Sequence, residues 1–574
     1  MLFSVLLKRY VGIYAASFLW VASSWAKPSV ELLLPGTAYQ SDYGAVATVH
    51  PQATAIAAEH LESGGNAVDA AIAAALTLGV VDSYNSGIGG GLFALVHWPD
   101  GRVEAIDARE MAPLKAHRNM YLRDGQVATS LSRNGALAIG IPGSVAAFDY
   151  LSKKGGKKPL PQLYRQAATI AEQGFAINPD YVRRLQRTQA SIKQFAATRD
   201  IFLDPQQQVW PVNHVLKQPD LAQTYRHLAK QGSAYFYQGD FAKAVAAWME
   251  RNKGIIELDD FVNYRLRIRE AVKSDFLGYQ VYGFPPPSSG GVHVAEILNI
   301  VQQFDIQHIA EDQRQHLLVE AMKLAFADRA YWLGDPDFTN VPKGLVSQAY
   351  AQKIANKIHL SKAGVARSHG IPDNAQKELF DKHTTHISVA DKHGLWVSIT
   401  TTLNTSFGSK VVIPGTGVIM NNQMDDFAAQ PNVPNTYGLV GSEANSIAPG
   451  KRPLSSMSPT IVVHNKTPIM ALGAAGGPMI ITQVTQALIR YLALDQSLYE
   501  SLASPRVHQQ WKPEFVFYDK ALAPKQRQAL EAKGHRLKQL RFEGSTNAIA
   551  WTKENGFVAV SEPRLVERNS VKSP

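Results

Sequence analysis

Covalent chemistry needs a nucleophile, and this chain contains no cysteine, which excludes thiol nucleophiles, disulfides, Cys-ligated zinc and iron–sulfur clusters together. Ser, Thr, Lys or a carboxylate must serve. Thr384-Thr385 stands where a polar, irregular stretch gives way to a β-rich one, although β-propensity alone also accounts for paired threonines. Further on, Gly473-Ala474-Ala475-Gly476-Gly477-Pro478 precedes a helical pattern. Glycines there leave unpaired backbone N–H groups at a helix start, able to face a developing oxyanion. Gly87-Ile88-Gly89-Gly90-Gly91 has the look of a phosphate cradle, but a strand-like run, Leu92 to Val96, follows it in place of the required helix, so a nucleotide site is rejected. His383-x-x-His386 has no carboxylate or third ligand at a useful spacing and is not a metal motif.

The elements that must carry these residues follow from pattern. Residues 45 to 94 predict a short strand, a buried Ala-rich helix through Asn66 to Leu76 and a tight glycine turn. Pro99-Asp100-Gly101 turns into a second strand that delivers Asp107-Ala108-Arg109-Glu110 at its end. Residues 160 to 280 predict helices with ordinary polar faces. Pro285 to Gly291 is a rigid loop ahead of a helix from about His293 to Gln303, and Glu320 to Trp332 is a second amphipathic helix. Residues 362 to 382 are polar and irregular. Thr384 to Ala390 and Leu395 to Leu403 then form a hairpin about Asp391-Lys392-His393-Gly394, and Thr460 to Val463 pairs with Ile469 to Leu472 ahead of a helix from Met479 to Leu492.

At 574 residues, with 45% hydrophobic and only 18% charged side chains, the chain is too apolar for disorder, and length alone suggests about three or four domains. The net charge of +10 is mild, and its densest basic cluster, Lys153 to Lys158, has no interleaved aromatics. It is a solvated loop by this reading, with no nucleic-acid partner. Residues 1–26 carry Lys8-Arg9, an apolar run from Tyr10 to Ala22 and Ser23-Ser24-Trp25-Ala26, the pattern of a cleavable secretory signal. An uncleaved anchor is the alternative. A soluble protein without a stable membrane span, periplasmic or secreted, is expected.

The motifs Gly64 to Ala71, Arg109-Glu110-Met111-Ala112-Pro113, Pro286 to Gly291, Asp381 to Ala390, Thr402 to Gly408, Asn421 to Phe427, Arg452 to Thr460 and Gly476-Gly477 occur in order across the chain. Together they resemble the gamma-glutamyltransferase family. The resemblance implies an α/β (α+β) architecture, the four-layer αββα sandwich of N-terminal nucleophile hydrolases. It also implies a precursor that cuts itself between His383 and Thr384, giving a large subunit (27–383) and a small catalytic subunit (384–574) that form one heterodimeric domain. Cleavage then creates the base, because a freed α-amino group ordinarily titrates near 8 and sits on the nucleophile itself.

By the same resemblance, Thr402 orients Thr384, and Gly476 and Gly477 form the oxyanion hole. Arg109, Ser455 and Ser456 bind the α-carboxylate of a γ-glutamyl group, Asn404, Gln423 and Asp426 bind its α-ammonium, and Tyr437 lies on a lid over the substrate. His383 before the cut, and Thr401 where an aromatic is familiar, depart from the family pattern. The implied partners are glutathione and other γ-glutamyl compounds as donors, with water, amino acids or dipeptides as acceptors and neither cofactor nor metal. Two rival readings are a glutaryl or cephalosporin-type acylase of the same fold and a processed, non-catalytic γ-glutamyl-peptide binding protein.

Overall fold

The computed structural model describes residues 36–370, 385–430, 439, 443–540 and 544–569. The expected signal segment, His383, Thr384 and Tyr437 lie outside the described residues.

Two antiparallel sheets stack face to face. The first has seven strands in the spatial order Ala38–Ser41, Gly44–Ala47, Thr385–Asp391, Trp396–Thr402, Gly91–His97, Val103–Ala108, Arg267–Arg269; the second has six, in the order Val272–Phe276, Tyr279–Gly283, Thr460–His464, Thr467–Ala474, Thr546–Thr552, Gly556–Val560. The hairpin that begins at Thr385 thus lies in the middle of the first sheet, hydrogen-bonded on both sides to strands from the first hundred residues.

Strand alternation sorts each strand's side chains between two cores. Along Gly91–His97, Leu92, Ala94 and Val96 enter a core beneath one helical layer, whereas Phe93 and Leu95 enter the core between the sheets. There Phe93 stacks on Phe284 with ring centroids 4.1 Å apart. Along Thr467–Ala474, Ala471 faces the inter-sheet core, while Met470, Leu472 and Ala474 face a third core beneath the other helices. Burial on both faces explains why these strands are apolar almost throughout.

The outer layers complete an αββα sandwich. Ala67–Val81 is buried along its whole length, and its run of alanines lets the first sheet and the helices Pro51–Glu62 and Leu160–Gln173 approach it closely. Asn66 and Asp69 close a reciprocal capping box at its start. Gly290–Val301, Glu311–Trp332 and Met479–Ala493 cover the second sheet.

The structure departs from the sequence expectations in four places. The length-based count of three or four domains gives way to one sandwich built from both halves of the chain. The end of the stretch 160–280, expected to be helical, forms strands from Arg267 onward. The hairpin there turns at Leu277 and Gly278, both at positive φ, without the Asn or Asp that usually marks such a turn. The second amphipathic helix begins nine residues earlier than expected, at Glu311. The basic cluster is no free loop either. Lys153 and Lys154 lie in the last turn of the helix Ser144–Gly155, where Lys154 pairs with Glu104 at 2.6 Å, and the Lys157 and Lys158 N–H groups donate to Asp69.

Candidate active site

Arg109 stands immediately after the strand Val103–Ala108. Its direction is set by Asp107, whose carboxylate accepts the Arg109 N–H at 3.0 Å while also pairing with Arg269 and Arg452, each at 2.7 Å. The Arg109 guanidinium is fully buried. It donates from Nε to Pro453 O (2.9 Å), from Nη2 to Leu454 O (3.1 Å), and to the Asp426 carboxylate in a close ion pair. Asp426 also accepts from Gln423 Nε2 at 2.9 Å. Both sit on the short 3-10 turn Gln423–Asp426, whose entry is tied down by Asn421: its side chain donates to Gly89 O and Gly140 O, each at 2.8 Å, and accepts from Gly140 N and Gln423 N.

The neighbouring strand end adds Thr402 and Asn404. Thr402 Oγ1 accepts the Asn404 N–H at 2.7 Å and holds that residue at φ 77°, a left-handed conformation that asparagine tolerates better than most residues. Asn404 Nδ2 donates to Asn422 O at 3.0 Å. Its Oδ1, like Gln423 Oε1, is buried with no hydrogen-bond partner among the described residues, which leaves two acceptors ready for a donor from a ligand.

Ser455 and Ser456 follow the carbonyls that Arg109 grips. The Pro-rich loop holds them in place: Ser455 N donates to Pro287 O (2.8 Å), and Ser455 O accepts from Ser289 N (2.7 Å). Ser455 Oγ accepts from Met457 N at 3.1 Å, while Ser456 Oγ meets Ser289 Oγ at 3.1 Å and Arg329 Nη2 at 3.4 Å. The structure therefore brings Arg109, Gln423 and Asp426 into direct contact and sets the two serines one step away along the main chain.

On the second sheet, Gly476 and Gly477 follow Thr467–Ala474 and precede Met479–Ala493 at φ 124° and 64°. A side chain at 476 would press on Gly544 Cα at 3.0 Å and Gln483 Nε2 at 3.1 Å. Gly476 lines a cleft of about 630 Å³ together with Asn404, Thr405, Lys410, Asp82 and Asn85.

Three groups here have unusual titration. Burial pushes the Asp82 carboxyl up to about 7, against hydrogen bonds from Asn85 and Thr385 that favour its charged form. Burial likewise brings the Lys410 ammonium down to about 7 and the Glu110 carboxyl up to about 7. Asp82 accepts from Thr385 Oγ1 at 3.0 Å, and Asn85 accepts the Leu403 N–H through its carbonyl at 2.9 Å. One turn thereby braces the start of the first hairpin strand and the end of the second. Asp82, Arg329 and Lys410 escaped sequence reasoning, because buried charge was the only signal and burial is not visible along a chain. His386 turns inward between the sheets, bonded to Thr400 Oγ1 and Ser388 Oγ at 2.9 Å each.

The αββα sandwich with a central hairpin and a buried polar cluster at its edge has the fold of the N-terminal nucleophile hydrolase class. The sequence profile of the Gamma-glutamyltranspeptidase family matches residues 53–571, and the chain belongs to this family. It is 38% identical over 528 residues to the Glutathione hydrolase proenzyme of Escherichia coli (strain K12), covering 91% of each chain. Among solved structures, cephalosporin acylase from Bacillus halodurans superposes with a TM-score of 0.81 at 27% identity over 92% of this chain and 95% of that one. The gamma-glutamyltranspeptidase of Helicobacter pylori superposes with a TM-score of 0.53 at 36% identity, over 57% of this chain and 91% of that one.

Proposed function

We propose that this chain is the precursor of a gamma-glutamyltransferase and glutathione hydrolase, cut between His383 and Thr384 and acting through the Thr384 hydroxyl. The observation that carries the reading is the buried Arg109–Asp426 ion pair, joined by the Gln423 amide, beside the unfilled acceptors of Asn404 and Gln423. A γ-glutamyl group presents a carboxylate and an ammonium on one carbon. Arg109, with its planar fork, suits the first; Asp426 and the two amide oxygens suit the second. Ser455 and Ser456 complete the carboxylate side.

In the proposed reaction the Thr384 α-amino group takes the hydroxyl proton as Oγ attacks the γ-carbonyl. Gly476 and Gly477 N–H groups hold the oxyanion, a contribution of about 3 kcal/mol per donor in comparable sites. Collapse breaks the C–N bond, the amino group returns its proton to the departing amine, and a γ-glutamyl ester on Thr384 remains. Water or an acceptor amine, deprotonated by the same amino group, then attacks the ester and frees Thr384. Self-processing uses the same oxygen against the His383 carbonyl.

Two further parts of the reading concern the chain's surroundings. Among the described residues no helix is long and apolar enough to cross a membrane, and the pattern in residues 1–26 favours export to the periplasm or medium. Tyr437 is proposed as the lid residue over bound donor.

The test pairs wild type with Thr384→Ala on a denaturing gel and a chromogenic γ-glutamyl anilide. Two fragments and turnover are expected from wild type, and one uncut, inactive band from the variant. An uncut wild type that still turns over the anilide would sink the self-processing model. The acylase likeness gives a second reading, and a glutaryl anilide, which lacks the α-amine, separates them: turnover equal to the γ-glutamyl compound would favour the acylase.

A further inference from the structure

Outside the lining of the cleft, three buried side chains converge where the helix Glu311–Trp332 meets the turn after the helix Pro524–Ala532. His316 and Glu320 stand one helical turn apart on the first, and His535 approaches from the second. His316 Nδ1 lies 2.7 Å from His535 Nε2, His535 Nε2 lies 3.7 Å from Glu320 Oε1, and all three atoms fall within 4.8 Å of one another. We propose that His316, Glu320 and His535 form a binding site for a divalent transition-metal ion, with Zn²⁺ the best fit.

The surroundings of the three ligands favour this. His316 Nε2 donates to His359 O at 2.8 Å, which fixes the tautomer and turns the Nδ1 lone pair toward the cluster, the arrangement that metal-bound imidazoles ordinarily show. Glu320 Oε2 accepts the Gly364 N–H at 3.0 Å and Oε1 accepts Lys323 Nζ at 2.6 Å, leaving Oε1 a second lone pair for the metal. Two imidazole nitrogens and a carboxylate oxygen are a recognised zinc donor set, and atoms around a common tetrahedral ion at about 2.0–2.1 Å lie roughly 3.3 Å apart. The His316–His535 and His535–Glu320 separations bracket that value, and the third pair lies within 4.8 Å. Water takes the fourth position.

Two cations stand near and must be accommodated. Lys323 acts as a donor to the ligating carboxylate and also reaches Gly364 O. Lys533 is matched by Asp312 at 2.9 Å. The site draws its ligands from both sides of position 384, so on the proposed cleavage it clasps the two fragments together. Only that last consequence rests on the proposed function; binding itself does not.

The experiment is a calorimetric titration of Zn²⁺ into chelator-stripped, purified full-length protein, with Co²⁺ absorption as a second readout. One saturable equivalent is expected, with an intense visible band for the Co²⁺ form. His316→Ala and His535→Ala should each weaken binding at least ~100-fold, and Glu320→Gln at least ~10-fold. The uncut Thr384→Ala precursor should bind as wild type does, so a failure of self-processing leaves this result untouched. If the alanine variants misfold by circular dichroism, His316→Gln and His535→Gln take their place. No saturable binding in wild type, or binding that survives every one of these variants at exposed histidines elsewhere, overturns the proposal.

Discussion

Arg109 and Asp426 neutralise one another at the centre of the candidate site, and each is fully buried. A zwitterionic substrate would exchange this pairing for two new ones, its carboxylate meeting Arg109 and its ammonium meeting Asp426, so desolvated charge stays balanced before and after binding. Removing one partner of such a pair leaves the other's charge uncompensated, at a cost of about 3–5 kcal/mol. Asp426→Asn is therefore expected to lower kcat/KM for a γ-glutamyl anilide by roughly 100-fold or more, to lower Tm, and to affect a glutaryl anilide far less, because that substrate has no ammonium to lose. Steady-state kinetics on both substrates and a thermal melt check this. Arg109, Asn404, Gln423 and Asp426 were legible in the sequence because they sit inside ordered motifs. Asp82 was not. It meets Thr385 across 303 positions of chain, and nothing local announces such a contact.

The hairpin of Thr385–Asp391 and Trp396–Thr402 was legible to within a residue, since β-branched runs around an Asp-Lys-His-Gly turn leave little choice. Its fit to the glycine cluster was not, because close approach appears only in three dimensions. A Cβ at Gly90 would lie 1.8 Å from Thr402 O, and one at Gly89 would lie 2.0 Å from Ile419 O. Gly90→Ala must push the end of the Thr402 strand aside, with an expected cost of about 3 kcal/mol or more; uncut or insoluble precursor on a gel is the readout. The inner face of the hairpin predicts a pH effect as well. Burial lowers the His386 imidazole to about 3, below its usual value near 6.5. The unfolded state therefore binds the extra proton first. Stability from this ring is complete above about 6.5 and declines by about 1.4 kcal/mol per pH unit as pH falls toward 3. Urea unfolding of His386→Gln beside wild type between pH 4.5 and 7.5 should show the variant without that slope.

Across the whole molecule, the strands on either side of position 384 are interleaved. In the first sheet the hairpin of residues 385–402 is inserted between Gly44–Ala47 and Gly91–His97; in the second, Thr460–His464 pairs with Tyr279–Gly283. The αββα class was legible through the family motifs, while composition and length pointed to several domains, because neither records that distant segments share a sheet. Two fragments made by cleavage before Thr384 should co-elute in size exclusion and separate only in denaturant, in one cooperative transition followed by fluorescence. Interleaving also orders events in time. The hairpin's neighbours on both sides come from the earlier part of the chain, so Thr385, held by Asp82, is not in place until the sheet has closed around it. On the proposed cleavage before Thr384, the cut would serve as a receipt for completed folding, and a cell that accumulates only cleaved protein would in effect have inspected every molecule.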